Sequence, residues 1–514
     1  MEDIFNRYYI LIAYINKTIS FKYDFFFTGC MGYDIVLVQP KAGRWEKLGV
    51  RQPESLLTIA AVPFQKGYKI KILDTRIEKN WKEVLGKILN KNRPVCVGIT
   101  SMTGVQIKNA LEVSRFVKRN SNVPVVWGGV HASLLPEQTL ENKNIDIVIV
   151  REGDYAFCEV FENLRDGKSL EDVKGIYYKK NGAIIKNPPQ ELIKNLDELP
   201  VLPYELIDLD QYYAMNTGEG KSITMTTSRG CPHRCTFCYN TSYYCNRWRA
   251  MSASKVIDRI KYVVEKFGIK TIFFHDDNFS VDLKRVDEIT KGIIDQKIDI
   301  KWGLLGTRID TIERMSDELL NQLIKAGCIN IDIGIESGSE RILQLMKKDI
   351  TIQKIIEANK RLAKYKIISK YTFIVGFPTE TKKDLNESIN LALRLTKDNK
   401  KAYTPFFIFT LYPGTQVFEL AMRNGYIEPK KLSDWISSNF EEAFLNYPWL
   451  TKKRIKMIRN LEFTSNFANK NIKYKINNNL IRVLFNLYYP FARYRFKNNF
   501  YHFPIEMNLA HKLS

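Results

Sequence analysis

Eleven residues constrain this chain more than any other stretch: Arg229-Gly230-Cys231-Pro232-His233-Arg234-Cys235-Thr236-Phe237-Cys238-Tyr239. Three cysteines spaced C-x3-C-x2-C on one loop can ligate three irons of a cubane and leave the fourth open. Thiolates are the soft ligands that iron-sulfur clusters and zinc prefer, and an open iron lets a small molecule bind through its own amino and carboxylate groups. The preceding run Ser222-Ile223-Thr224-Met225-Thr226-Thr227 is rich in β-branched residues and reads as a strand. A structural zinc site competes with this reading and needs a fourth ligand, which His233 or Cys245 can supply. The chain has no second cysteine knuckle of the kind that zinc sites use, so the cluster reading leads.

At 514 residues the chain exceeds one compact core, and two to four domains are expected. Its eight cysteines form no dense framework and three are wanted as thiolates, which points to a reducing cytoplasm without disulfides. The net charge of +22 points to an anionic partner, and its distribution says more than its sum. From Thr451 to Ser514 there are 13 Lys and Arg against 2 Asp and Glu. Residues 1–31 form an extension in which Lys17, Lys22 and Asp24 interrupt the apolar runs short of the roughly 18–20 residues that a membrane span requires. Glu2 and Asp3 stand where a cleaved signal carries positive charge, and Met31 is an alternative start of translation.

Residues 32–195 alternate short apolar runs with helical ones, as a doubly wound parallel sheet does. Strands are expected at 34–38, 69–73, 95–99, 123–127 and 146–149, with helices at 53–66, 81–90, 105–119 and 134–142. Ligands of such sheets bind beyond the carboxyl ends of the strands. There stand Gln39-Pro40, Thr100-Ser101-Met102-Thr103-Gly104 and Gly128-Gly129-Val130-His131. Gly128 and Gly129 let a bulky ligand approach the backbone, and Ser101 and Thr103 offer hydroxyls; a tight turn explains the two glycines equally well. Residues 196–215 read as a proline-bearing extended strap. Residues 216–420 return to alternating strands and helices, with polar groups where strands end, as in a (β/α) barrel. His275 is either packed or catalytic on this reading. Residues 421–514 are helical and basic, and 480–501 mix Arg and Lys with Phe, Tyr and Leu, suiting either a bilayer interface or a helix packed on the barrel.

The cysteine loop, with Phe237 before its last cysteine, resembles that of the radical S-adenosylmethionine (radical SAM) superfamily. The domain upstream resembles the cobalamin-binding domain that precedes some of these barrels, including Arg151-Glu152-Gly153-Asp154 after its last strand. The resemblance implies an α/β fold class: a doubly wound Rossmann-like cobalamin domain, a partial (β/α)6 TIM-type barrel and a helical carboxyl-terminal region. It implies a [4Fe-4S] cluster on Cys231, Cys235 and Cys238. It places S-adenosylmethionine on Phe237, Asp276, Asp277, Asn278, Arg308, Glu336, Ser337 and Gly376, and cobalamin on Ser101, Thr103, Gly128 and Gly129. Asp276, Asp277 and Asn278 would meet the cofactor ammonium, Arg308 its carboxylate, Glu336 and Ser337 its ribose, and Gly376-Phe377-Pro378 would bracket the adenine. The Asp-x-His-x-x-Gly motif that supplies a lower cobalt ligand is absent, since residues 39–49 hold no histidine; His131 is not expected to replace it. The activity implied is cobalamin-dependent methylation of an unactivated carbon, with radical oxidative cyclisation as the alternative. A tRNA methylthiotransferase is disfavoured, because Cys96 falls in a strand and Cys158 in a helix. The implied partners are a small-molecule or lipid substrate and a flavodoxin- or ferredoxin-type electron donor, with no nucleic acid. The implied location is cytoplasmic, with peripheral membrane contact through the basic tail.

Overall fold

The computed structural model describes residues 32–43, 50–212, 220–438, 443–470 and 479–501; the amino-terminal extension with its alternative start lies outside these. The first sheet is built from β1 (Ile35–Gln39), β2 (Ile70–Asp74), β3 (Cys96–Thr100), β4 (Val125–Gly128), β5 (Ile147–Ile149), β6 (Ile176–Lys180) and β7 (Ala183–Lys186), in the order β2-β1-β3-β4-β5-β6-β7. The first five strands are parallel, and β6 and β7 add an antiparallel hairpin. Ile35 to Val38 are wholly buried, because helices α1 (Glu54–Gln65), α2 (Trp81–Asn92) and α3 (Val105–Asn120) cover both faces of a parallel sheet. The expected helix over 134–142 is instead two short ones, α4 (Val130–Leu134) and α5 (Pro136–Leu140), broken where Leu135 precedes Pro136. Helix α6 (Ala156–Arg165) follows β5.

The strap is not extended throughout. Three 3-10 turns, Leu196–Glu198, Tyr204–Leu206 and Leu209–Gln211, bring Leu196, Leu199, Leu202 and Tyr204 into the core, and Asn195 and Asp208 cap two of these turns. The second sheet holds β8 (Ser222–Met225), β11 (Thr271–Phe274), β12 (Lys301–Thr307), β13 (Cys328–Glu336), β14 (Ile368–Val375), β15 (Ala402–Tyr403) and β16 (Phe406–Ile408), all parallel. Its path runs β15-β14-β13-β12-β11-β8 with β16 also on β14, an open half-barrel. A two-stranded ladder of β9 (Ser228–Arg229) and β10 (Arg249–Ala250) frames the cysteine loop. Helix α7 (Ala253–Phe267) shows local sequence and fold agreeing: Ser252 caps its start and Gly268 ends it in the left-handed conformation. Helices α8 (Leu283–Asp295), α9 (Ile309–Arg314), α10 (Asp317–Lys325), α11 (Glu340–Leu345), α12 (Ile352–Leu362), α13 (Lys382–Asp398) and α14 (Gln416–Arg423) complete the wall. Helices α15 (Lys452–Phe467) and α16 (Asn479–Lys497) pack against β16, where the Phe496 ring meets Phe406 with centroids 5.4 Å apart.

Candidate functional site

The cysteine loop leaves β8 and is fixed before its first cysteine. Asp276 at the end of β11 accepts from the Thr227 backbone N–H and hydroxyl at 3.0 Å and from the Ser228 hydroxyl at 2.5 Å. Asp277 accepts the Gly230 N–H at 2.9 Å. Gly230 has φ +83°, and a Cβ there would collide with the Arg247 carbonyl, so only glycine fits. The other end is tied to the barrel: Thr236 N–H donates to the Met346 carbonyl at 3.0 Å, and its carbonyl accepts from Val417 N–H at 2.9 Å.

The three cysteines are unpaired, and two of them meet side-chain donors suited to thiolates. Arg308 Nη1 lies 3.5 Å from Cys235 Sγ, and Asn278 Nδ2 lies 3.8 Å from Cys231 Sγ. Burial raises the Cys231 thiol and pushes Cys238 up to about 12. Iron loading must therefore displace protons from these sulfurs. The two groups that could complete a zinc site are engaged elsewhere: Cys245 Sγ accepts from Arg151 at 3.3 Å, and His233 Nε2 lies 3.7 Å from Asp310.

Where β11 and β12 end, three buried polar atoms have no partner among the described residues: Asp276 Oδ2, Asn278 Oδ1 and Thr307 Oγ1. Burial lifts Asp276 to about 6 against its hydroxyl partners and Arg285. Two acceptors and a hydroxyl at adjacent strand ends suit an ammonium group, which fits S-adenosylmethionine beside the cluster. Thr307 was not singled out from sequence; its place one residue before Arg308 was the available signal. Arg308, expected to meet the cofactor carboxylate, has its fork occupied by Asp310 at 2.9 Å, the Lys348 carbonyl at 2.5 Å and Cys235. Glu336, with φ +67° at a bulge, pairs with Lys348 Nζ at 2.8 Å, and the Ser337 hydroxyl lies 3.3 Å from that of Ser388. Gly376 donates to Glu380 at 2.9 Å and accepts from Trp449 Nε1 at 3.0 Å, and Arg454 of α15 meets the same Glu380 oxygen at 3.0 Å. Phe237 is partly buried and packs on the main core.

In the first domain, Ser101 donates to the Gly128 carbonyl at 3.0 Å, and Thr103 Oγ1 lies 3.0 Å from His131 Nδ1. Gly129, at φ +90°, faces Ser101 so closely that a Cβ would stand 2.6 Å from its carbonyl oxygen. That close approach packs the two loops together. Gly128 instead borders open space, with nothing nearer than 4.0 Å to an added Cβ, and the apolar side chain of Met102 stands exposed on the neighbouring loop. This ledge at the carboxyl edge of the sheet fits the approach of a large flat ligand such as cobalamin. His131 is fully buried, edge-on to Trp435 at 5.7 Å, with Nε2 unpartnered and its pKa lowered to about 3 by burial.

The domains meet through buried charges that sequence reading left without a role. Arg229 of the cysteine loop forks onto Asp154 at 2.9 and 2.8 Å and meets Glu152 at 3.1 Å; Arg249 meets both Glu152 oxygens at 2.9 Å. Burial works against the Arg229 charge, yet Asp154 and Glu152 hold its pKa well above the ordinary value. Glu54 accepts from the Thr226 N–H at 2.7 Å and the Thr224 hydroxyl at 3.1 Å, fixing α1 on β8. The exposed His275, at the end of β11, is acted on electrostatically by Glu54 and Arg51 of one domain and by Asp277 of the other. It therefore stands where the domains face each other. Beyond it Asp332 pairs with Lys370 at 2.6 Å, and the Lys370 ammonium sits 5.9 Å from the exposed Phe407 ring. Asp332 also acts electrostatically on Arg51 of the first domain.

Residues 225–392 match the Radical SAM superfamily and residues 48–161 the B12 binding domain. The uncharacterized methyltransferase PH0819 of Pyrococcus horikoshii is 35% identical over 382 residues, covering 74% of this chain and 81% of its own. The anaerobic magnesium-protoporphyrin IX monomethyl ester cyclase of Rubrivivax gelatinosus is 25% identical over 387 residues, covering 70% and 68%. Among solved structures, the cobalamin-dependent S-adenosylmethionine radical enzyme OxsB with aqua-cobalamin bound has the same fold, with a TM-score of 0.70 at 17% identity over 96% of this chain and 77% of that one. The chain belongs to the radical S-adenosylmethionine enzymes that carry an amino-terminal B12-binding domain.

Proposed function

We propose that the protein is a cobalamin-dependent radical SAM methyltransferase acting on an unactivated carbon of a small molecule or lipid. The carrying observation is the docking of the cysteine loop on the first domain through Arg229, Asp154 and Glu152, beside which Arg51 of the first domain acts electrostatically on His275. When bound there, the cluster, S-adenosylmethionine and cobalamin supply an electron, a deoxyadenosyl radical and a methyl group. The chain's own residues position them. Cys231, Cys235 and Cys238 hold the cluster, with Asn278 and Arg308 donating to two of the sulfurs. Asp276 and Asn278 present acceptors toward the ammonium, and Arg229, through Asp154, fixes the loop against the first domain. Phe407 and the Lys370–Asp332 pair set an exposed aromatic ring beside a charged pair on neighbouring strands, suited to a substrate with both characters.

Methyl transfer is favoured over cyclisation because the methyltransferase relative is the more similar, at 35% against 25% identity. The electron comes from a flavodoxin- or ferredoxin-type donor in a reducing cytoplasm. Helix α16 turns an apolar stripe outward, with Val483 54%, Leu487 73%, Phe491 42% and Tyr494 61% exposed, and carries no acidic residue. We assign this stripe to contact with an anionic bilayer surface. No described helix is long and apolar enough to cross a membrane. The test of the reaction is anaerobic incubation of reconstituted protein with methyl-deuterated S-adenosylmethionine, cobalamin and a cell extract. A product gaining the labelled methyl, with deoxyadenosine and S-adenosylhomocysteine, is expected. An oxidised product without label would establish the cyclase instead, and failure to bind cobalamin would remove both.

A further inference from the structure

A cleft of about 330 Å³ opens behind the cysteine loop, lined by Glu191, Leu192, Lys194, Arg247, Trp248 and Arg249. It takes no part in the chemistry above, yet two short routes connect it to a cluster ligand. The Trp248 indole N–H donates to the Asn278 carbonyl at 2.9 Å, and the Asn278 amide donates toward Cys231 Sγ at 3.8 Å. Arg249 pairs in the β9–β10 ladder with Arg229, two residues before Cys231. The rim is basic. Lys194 bonds to Glu191 and, with Lys174 and Arg247, holds that carboxyl below its ordinary value. The exposed Arg247 side chain makes no hydrogen bond or ion pair to any described residue, and Arg234 is exposed on the loop itself.

We propose that this cleft is the docking face for an acidic one-electron carrier protein. The proposal rests on the radical SAM reading, in which each reductive cleavage consumes one electron that neither the substrate nor cobalamin's methyl group supplies. The carrier is oxidised by one electron, which passes through the cluster into a carbon–sulfur bond of the sulfonium, releasing methionine and the deoxyadenosyl radical. Electron-transfer encounters are small and steered by charge, which a basic rim joined by two hydrogen bonds to Cys231 provides.

The test compares anaerobic stopped-flow bleaching of the cluster by an acidic reduced flavodoxin and by dithionite, in wild type, in Lys194→Glu/Arg247→Glu, and in Lys108→Glu/Arg119→Glu. The last carries the same change in net charge on exposed residues of α3. The cleft variant is expected to lose roughly tenfold or more in its second-order rate with flavodoxin at low salt. Its dithionite rate should match wild type, and the α3 variant should stay within about twofold of wild type with both reductants. Equal flavodoxin rates in the cleft variant and wild type would overturn the proposal. So would equal slowing in the α3 variant, which would make net charge and not this cleft responsible. A wild-type protein with no cluster for dithionite to bleach would instead overturn the functional reading beneath it.

Discussion

Replacing Asp154 with Asn probes the joint between the two domains. Arg229 forks onto Asp154, and its only other acid among the described residues is Glu152, already shared with Arg249 and with the Ile193 N–H at 2.7 Å. Two guanidiniums would then share one carboxylate in a site whose four side chains are only 2–13% exposed. Breaking such a pair from one side costs about 3–5 kcal/mol, whereas removing both charges with apolar residues of similar size is often nearly neutral. The Asp154→Leu/Arg229→Met double variant should therefore cost less than the two single changes summed, with a coupling of about 2 kcal/mol or more. Equilibrium urea unfolding of cluster-free protein, followed by tryptophan fluorescence, measures this, because Trp248 adjoins Arg249. A loss below about 1 kcal/mol for Asp154→Asn, or additive single changes, would refute a desolvated bridge.

Other outcomes follow from the same contacts. Burial lifts Glu380 to about 7, above its unfolded value near 4.3, so its contribution is full at low pH and fades as pH rises through about 7. Wild type should lose about 3 kcal/mol more than Glu380→Gln between pH 4 and pH 8, read as thermal midpoints; parallel curves would dismiss the effect. Gly230→Ala should fold but retain far less iron than wild type after reconstitution, since its Cβ would displace the Arg247 backbone. Full retention would mean that the loop yields. Leu487→Asp/Phe491→Asp should abolish co-sedimentation with anionic liposomes while leaving neutral liposomes unaffected. Unchanged co-sedimentation would place the lipid contact elsewhere.

Parallel strands such as Ile35–Gln39 and Thr271–Phe274 were legible because each is a short buried run, apolar but for one residue, followed by a turn or helix signal. The β6–β7 hairpin was not, because Tyr177, Lys179, Ile184 and Ile185 lie half-exposed at the sheet edge among lysines and only Ile176 and Tyr178 are buried. The cysteine loop announced itself by spacing alone. Its supports did not: Arg229, Glu152 and Asp154 are ordinary surface residue types, and only the docking of two domains buries them together. Arg308 was picked out by its position at a strand end, but a side chain with five donors can turn to several acceptors, and here it faces Cys235, Asp310 and Lys348. The outward stripe of α16 needed the structure, since a helix rich in Phe, Tyr and Leu does not reveal which of its faces is covered.

Trp435 reaches back across the chain to lie against His131, and its indole donates to Gln138 at 2.7 Å. During synthesis the first domain has left the ribosome long before this contact can form. At about 5–20 residues per second, the 240 residues from Asn195, where that domain ends, to Trp435 take roughly 12–48 s to add. For that interval the nascent domain presents the face around His131 uncovered, giving a large cofactor a period of open access that ends when the last third of the chain arrives.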